Sequence, residues 1–386
     1  MPNANLSRTV AIVGAAESDE LGVTPNKSAL QHHAEAAHNA LADAGLSVKD
    51  VDGLFTAGFS TLITAEYMGI KPRFSDSTSV GGSSFVVEVA HALAAINAGY
   101  CEVAVITHGQ TGRSSRVSGN SSGLYDPNFP NMQYEQPYGI MGPPINYSMA
   151  CTRYMHQYGE DRTRQALAEI AVSTRKWAQM NPMAQMRDPM TFDDYHNSRW
   201  ISWPFHLLDC CLVTDAGAAV VITTAERAKD LPKKPVWVLG AAEYHDHFIM
   251  SQMPDLTVTP AKTSGRLAME MAGIKHADVD LTMIYDSFTY TVLATLESLG
   301  YCGPGEGPDF VAGQRTAPGG NFPLNTSGGG LSYTHPGMYG IFLLVEAVRQ
   351  LRGECGERQI ANPKISLVNG TGGQLSSTGT CVLAVD

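Results

Sequence analysis

One stretch of this chain occurs twice. Ala44-Gly45-Leu46-Ser47-Val48-Lys49-Asp50-Val51-Asp52 recurs as Ala272-Gly273-Ile274-Lys275-His276-Ala277-Asp278-Val279-Asp280. Each copy follows a predicted helix (28–43 and 264–271) and precedes a short apolar strand (53–55 and 281–285). A second correspondence is sharper. A predicted helix over 83–99 leads to a strand at 102–107, and one over 337–353 leads to a strand at 365–369. Aligning the helix-ending Gly99 and Gly353 sets Gly81 opposite His335. Two βαβ-rich halves, each with helices over buried strands, predict a layered α/β architecture. The halves are expected at 1–225 and 226–386. The region 112–203 interrupts the pattern and is rich in Asn, Pro, Met, Tyr and Ser, with one clear helical stretch at 162–180. At that length it reads as an inserted loop region that covers a site and helps build a homodimer.

Composition narrows the function. Of 386 residues, 44% are hydrophobic and 16% charged, enough apolar content for a large core. A net charge of −11 argues against a nucleic-acid binder, which carries a basic stripe. No run has the length of a membrane span, and Met1 to Thr9 lack the apolar core of a signal peptide, so a cytoplasmic location is expected. Seven scattered cysteines with no CxxC pair favour neither disulfides nor a zinc site.

Several motifs appear in a fixed order. They are Val10-Ala11-Ile12-Val13-Gly14, Leu207-Leu208-Asp209-Cys210-Cys211 with Thr214-Asp215-Ala216-Gly217, Tyr285-Asp286-Ser287-Phe288, Asn325-Thr326-Ser327-Gly328-Gly329, Thr334-His335-Pro336 and Asn369-Gly370-Thr371-Gly372-Gly373. Together they resemble the thiolase superfamily, in its branch of sterol carrier protein X and lipid-transfer-type thiolases. The resemblance implies a thiolase fold with a five-layer αβαβα arrangement. Thiolases place a nucleophilic cysteine at a helix N-terminus, where the thiolate is favoured. Here Ser79-Val80-Gly81-Gly82-Ser83-Ser84-Phe85 puts Gly81 at that turn. The second, proton-handling cysteine near the last glycine turn is missing too, because Cys381 lies further on. Tyr285 replaces the Asn or His that holds the catalytic water. Without either sulfur, ping-pong acyl transfer is lost.

Polarisation of a CoA-thioester carbonyl remains possible, with His335 as donor beside backbone N–H groups of the 81–84 turn or of Gly372-Gly373. Polarisation stabilises an enolate, which retro-aldol cleavage of a β-hydroxyacyl-CoA generates. Tyrosines crowd the motifs: Tyr290 follows the Asp286 motif, Tyr339 follows His335, and Tyr244 sits on an expected loop after a strand at 236–240. A phenol of pKa about 10 needs lowering by about 3 units, roughly 4 kcal/mol, to act as a base, and a helix start at 336–340 suits that task. The resemblance extends to cysteine-less aldolases that shorten steroid side chains and use tyrosines. It implies Tyr290 and Tyr339, either one as base and the other as proton donor or hydrogen-bond partner, with His335 and Asp286 beside them. Tyr244, Tyr285, Gly81, Asn325, Gly372 and Gly373 are expected to line the substrate's place, with Gly81 leaving room for a branched β-carbon. Ser83 and Ser84 read as helix caps, Cys210 and Cys211 as core, and His245 and His247 as exposed loop residues. The resemblance also implies a small OB-fold and zinc-ribbon partner in a heterotetramer, any zinc belonging to that partner and no cofactor to this chain. The competing readings are a cysteine-independent acyltransferase or condensing enzyme and a non-catalytic lipid- or acyl-CoA-binding subunit.

Overall fold

The structure, a computed structural model, describes residues 3–115 and 126–386. The first half runs through β1 (Val10–Glu17), α1 (Ala29–Asp43), β2 (Gly53–Thr56), α2 (Thr61–Met68), β3 (Phe74–Asp76), α3 (Ser84–Asn97) and β4 (Val103–Thr111). The insertion holds α4 (Pro130–Tyr134), α5 (Pro143–Tyr158), α6 (Glu160–Gln179), α7 (Phe192–Asn197) and the short pair β5 (Trp200–Ser202) and β6 (Phe205–His206). Then come β7 (Asp215–Thr224), α8 (Ala225–Ala228), β8 (Val236–His245), α9 (Ala261–Ala272), β9 (Leu281–Ile284), α10 (Thr289–Leu299), α11 (Gly307–Val311), α12 (Gly340–Arg352), β10 (Ile365–Gly372) and β11 (Ser377–Ala384).

The strand order is β3-β2-β4-β7-β1-β8-β11-β10-β9. Read inward from each side, β2-β4-β7-β1 and β9-β10-β11-β8 repeat one pattern: a parallel pair, then two antiparallel ones. The duplication read from the sequence is therefore a duplication of topology. In the sheet, β1 and β8 join the two halves through Ala11↔Trp237 and Ile12↔Val236. Helices α3 and α12 pack together and touch strands of both halves, while α1 covers β1, β4 and β7 and α9 covers β8 and β11. This is the αβαβα layering.

Strands covered on both faces have no polar side. All eight residues of β1 are buried. Ala11 and Val13 meet the α1 layer, and Val10 and Ile12 meet the central helices. A Cβ on Gly14 of β1 would lie 2.0 Å from Ala40 O, and one on Gly240 of β8 would lie 2.0 Å from Ala268 O. Both halves thus use glycine where an outer helix presses its backbone onto the strand.

Two expectations are corrected. The insertion is mainly helical among its described residues, with α5 ahead of the anticipated helix. Helix α5 opens on Pro143-Pro144, positions where proline costs no hydrogen bond. It buries Tyr147, Ala150, Cys151, Tyr154 and Met155 along one face, so packing overrode its polar composition. Strand β8 also runs past Gly240 to His245, because its ladder with β11 continues through Tyr244↔Thr378 and His245↔Ser377.

Candidate active site

Four turns converge at the ends of the strands: residues 81–83 before α3, 285–288 after β9, 335–339 before α12, and 372–373 after β10. Asn325 ties the end of β9. Its Oδ1 accepts from Ile284 N at 2.8 Å and its Nδ2 donates to Ile284 O at 2.8 Å. Asn325 thus positions the strand end from which Tyr285 and Asp286 project. Asp286 accepts N–H bonds from Gly330 at 2.7 Å and Leu331 at 3.2 Å, anchoring the turn that leads to His335. Burial raises its pKa to about 7. The His335 backbone is stitched to Thr214, donating to its Oγ1 at 2.9 Å and accepting from its N–H at 3.1 Å.

At the centre, the Tyr285 hydroxyl lies 2.9 Å from His335 Nε2 and accepts from Tyr339 N–H at 3.1 Å. The phenol keeps its own O–H while accepting that N–H, and it donates to the imidazole in the tautomer that carries its proton on Nδ1. The imidazole is neutral because burial lowers the His335 pKa to about 4. The Tyr339 ring stacks beside His335, centroids 6.0 Å apart and 21° between planes, and its hydroxyl meets Ser327 Oγ at 3.1 Å.

The vacancy expected at Gly81 is not there. A Cβ on Gly81 would lie 2.5 Å from Gly373 N and 3.1 Å from Gly372 Cα, and the residue has φ +77°. The neighbouring Gly82 is the informative one. A Cβ there would lie 2.5 Å from the Tyr285 phenol oxygen. The phenol has moved into the space beside the turn, and glycine at 82 is what admits it.

The other sequence-derived candidates separate. Burial raises the phenol pKa of Tyr285, Tyr290 and Tyr339 well above 10, so the expected lowering by a helix start is overturned and these tyrosines are neutral donors. Helix α12 begins only at Gly340, and the Tyr339 N–H there is spent on Tyr285. Tyr290 has other partners: its hydroxyl donates to Leu256 O at 3.1 Å and its ring packs edge-on against Tyr154. Tyr244 is on strand β8 rather than a loop and is 42% exposed, against 8% for His335 and 0% for Tyr290 and Tyr339. Gly373 O accepts from the hydroxyl of Tyr147 on α5 at 3.0 Å, a contact the insertion's composition did not signal. A Cβ on Gly372 would lie 1.9 Å from Val80 O, so the two glycine turns touch backbone to backbone.

Ser83 and Ser84 do not cap the helix. The Ser84 hydroxyl donates to Gly81 O at 2.7 Å and accepts from Val80 N–H at 2.9 Å, while Ser83 Oγ meets Ser377 Oγ at 2.8 Å. His245 is exposed as expected but sits on strand β8, and His247 lies in the loop after it with its ring covered. His245 Nδ1 lies 2.8 Å from Ser377 Oγ, and the fully covered His247 ring reaches Gln374 O at 3.0 Å. All seven cysteines are free. Burial raises the pKa of Cys211, which lies close enough to Tyr285 to affect its titration, so no thiolate stands there. Among the described residues no group of three His, Cys, Asp or Glu side chains could hold a metal ion, and no helix is long and apolar enough to cross a membrane.

Residues 242–385 match the family model for the thiolase C-terminal domain-like region. A 17-hydroxy-3-oxo-4-pregnene-20-carboxyl-CoA lyase of Mycobacterium tuberculosis is 38% identical, over 90% of this chain and 92% of that one. A steroid side-chain-cleaving aldolase of Thermomonospora curvata is 36% identical, over 89% of this chain and 90% of that one. The solved structure of an Ltp2-ChsH2(DUF35) aldolase superposes with a TM-score of 0.89 at 33% identity, covering 99% of both chains. The thiolase layering, the turn without a nucleophile and these relatives agree: the chain belongs to the family of thiolase-fold aldolases, carbon–carbon lyases built on a thiolase scaffold.

Proposed function

We propose that the chain performs retro-aldol cleavage of a β-hydroxyacyl-CoA, with a steroid or similar side chain as the acyl group, giving a ketone or aldehyde and a shorter acyl-CoA. The observation that carries the mechanism is the hydrogen bond between the Tyr285 phenol and His335 Nε2, in the space that Gly82 leaves open; the scheme takes His335 as the neutral Nδ1–H tautomer, with the phenol donating. The β-hydroxyl gives its proton to the Tyr285 oxygen as the phenolic proton passes to His335 Nε2. The Cα–Cβ bond breaks, its electron pair becomes the enolate of the thioester, and the former alcohol carbon leaves as the carbonyl. The proton then returns from His335 through Tyr285 to Cα, so one proton moves from oxygen to carbon and none is consumed. Tyr339 N–H donates to the phenol oxygen and holds it in line between substrate and His335 during the relay. Asp286 and Asn325 hold the two turns, the Gly372 and Gly373 backbone borders the thioester, and the accessible Tyr244 contacts substrate. Tyr290 is assigned to packing.

This scheme uses no thiolate, which the raised pKa of Cys211 supports. The relatives' names support the substrate class. The test is direct. Purified chain is given a β-hydroxyacyl-CoA with a tertiary β-carbon, and short acyl-CoA and ketone are followed by mass spectrometry. Release that survives iodoacetamide and needs no added CoA is the expected result. Release that requires free CoA would establish thiolysis instead.

The structure whose name pairs Ltp2 with ChsH2(DUF35) motivates a second protein here. We assign it as a small OB-fold and zinc-ribbon chain joined with a homodimer of this one, with any zinc on the partner. Co-expression followed by light scattering tests it; a heterotetramer is expected and an unassociated chain would refute it.

A further inference from the structure

A line of side chains that the reaction does not use ends at the glycine turn. Asp76 Oδ2, on edge strand β3, lies 2.5 Å from His91 Nδ1 on α3. His91 Nε2 lies 3.1 Å from Glu243 Oε1, and Glu243 Oε2 lies 3.0 Å from His245 Nε2. His245 Nδ1 meets Ser377 Oγ at 2.8 Å, Ser377 meets Ser83 Oγ at 2.8 Å, and Ser83 donates to Val80 O at 3.1 Å. Six side chains from both halves thus form one continuous path. The extension of β8 makes it possible. Residues 243 and 245 point to one face of a strand and Tyr244 to the other.

The Asp76–His91 pair is partly buried and anchors one end of the path, with the His91 pKa raised to about 10 by the Asp76 hydrogen bond. At the other end Glu243 and His245 are 35% and 40% exposed along their side chains, where an ion pair contributes little to stability. Nor does it conduct a proton to substrate, because it terminates on a backbone carbonyl. It terminates where the two glycine turns approach backbone to backbone, with Val80 O facing Gly372 and Gly81 facing Gly373 N. Gly82, next in the turn, carries Tyr285 against it. Small displacements there change the Tyr285–His335 geometry, and misplacement of reacting groups by about 1 Å costs on the order of 100-fold in rate.

We infer that His245, supported by Glu243 and His91, is a positioning residue that holds Ser377 and Ser83 so that the 81–83 and 372–373 turns stay registered beside Tyr285. The assignment rests on the retro-aldol reading, and its test separates the two.

Full-length His245→Phe, His245→Asn, Ser377→Ala and the His245→Phe/Ser377→Ala double variant are compared for kcat, KM and Tm, and for acetyl-CoA affinity by calorimetry. Phe keeps the ring and removes both nitrogens, whereas Asn keeps a donor near the Nδ1 position. His245→Phe is expected to lower kcat about tenfold, equivalent to about 1.4 kcal/mol, and to weaken acetyl-CoA binding, because the displaced 372–373 turn borders the thioester. His245→Asn is expected to recover most of that loss, and the double variant to be no worse than His245→Phe, because both changes break one path. Unchanged kcat in His245→Phe overturns the assignment. So does a His245→Asn as slow as His245→Phe, or a double variant whose losses add. If His245→Phe does not fold, His245→Asn against Ser377→Ala decides, with full activity in Ser377→Ala counting against the proposal. If the wild type cleaves no β-hydroxyacyl-CoA, the retro-aldol reading falls alone. Acetyl-CoA affinity then supports the path if it drops in His245→Phe and returns in His245→Asn, and refutes it if all variants bind alike.

Discussion

Replacing Tyr285 with Phe removes one oxygen from the centre of the site and leaves the ring in place. That oxygen has two partners, His335 Nε2 at 2.9 Å and Tyr339 N at 3.1 Å, both buried. Stranding a buried polar group costs about 1–3 kcal/mol, so two orphans cost about 2–6 kcal/mol together. For 386 residues, an unfolding entropy of about 2.1 cal/mol/K per residue gives about 0.8 kcal/mol/K. The expected fall in Tm is therefore about 2–7 °C, read by scanning calorimetry. The kinetic loss is larger in consequence. Without the phenol, no group relays the proton between substrate and His335, and loss of a preorganised donor of this kind costs about 10²–10³ in kcat. Cleavage is measured at 25 °C, below the lowered Tm, with product acyl-CoA quantified by mass spectrometry. Near-normal KM with kcat down at least 100-fold is expected. A Tyr285→Phe enzyme within threefold of wild-type kcat would refute the Tyr285–His335 relay even if its Tm fell as calculated.

Three further outcomes follow from the same geometry. Gly81→Cys should not restore thiolase chemistry: its Cβ would meet Gly373 N at 2.5 Å with φ +77°, so a Tm loss and no acylation by acetyl-CoA are expected, and a stable acyl-enzyme by mass spectrometry would contradict this. Tyr290→Phe loses one hydrogen bond to Leu256 O and should cost about 1 kcal/mol in a denaturant titration with kcat unchanged; a 100-fold fall in kcat would return Tyr290 to the chemistry. For His335 the folded pKa near 4 lies below the unfolded value near 6.5, so the unfolded chain takes up the proton first and stability falls with acidification. Between pH 7.5 and 5 the wild type should lose about 2 kcal/mol more than His335→Gln, measured by urea titration, and parallel stability curves would show that the imidazole is not buried neutral.

The backbone of the site was more legible than its side chains. Gly81-Gly82, Gly372-Gly373 and the His335-Pro336 turn stand out in the sequence because local geometry admits few residue types at such turns. Asp286 and Asn325 were legible as motif members, and the structure supplies their partners, the turn at 330–331 and the end of β9. Tyr290 and Tyr339 looked equivalent in sequence, each a tyrosine after a motif. Helix α10 carries Tyr290 to Leu256, whereas the turn before α12 sets Tyr339 against His335. Glu243, Tyr244 and His245 looked like loop because their polar composition says nothing about the β11 ladder that extends β8 over them.

By itself the sequence determined the duplicated topology, since each half repeats its own helix–turn–strand signals and two apolar layers can be buried together in few ways. It also determined that no sulfur stands at the nucleophile turn, because that is a matter of residue identity. Only the tertiary structure decided what replaces the sulfur. Tyr285 comes from the other half, and its place over Gly82, its bond to His335 and its raised pKa all arise from burial among groups distant in sequence. Desolvation and contact are properties of the packed environment, and no local pattern encodes them.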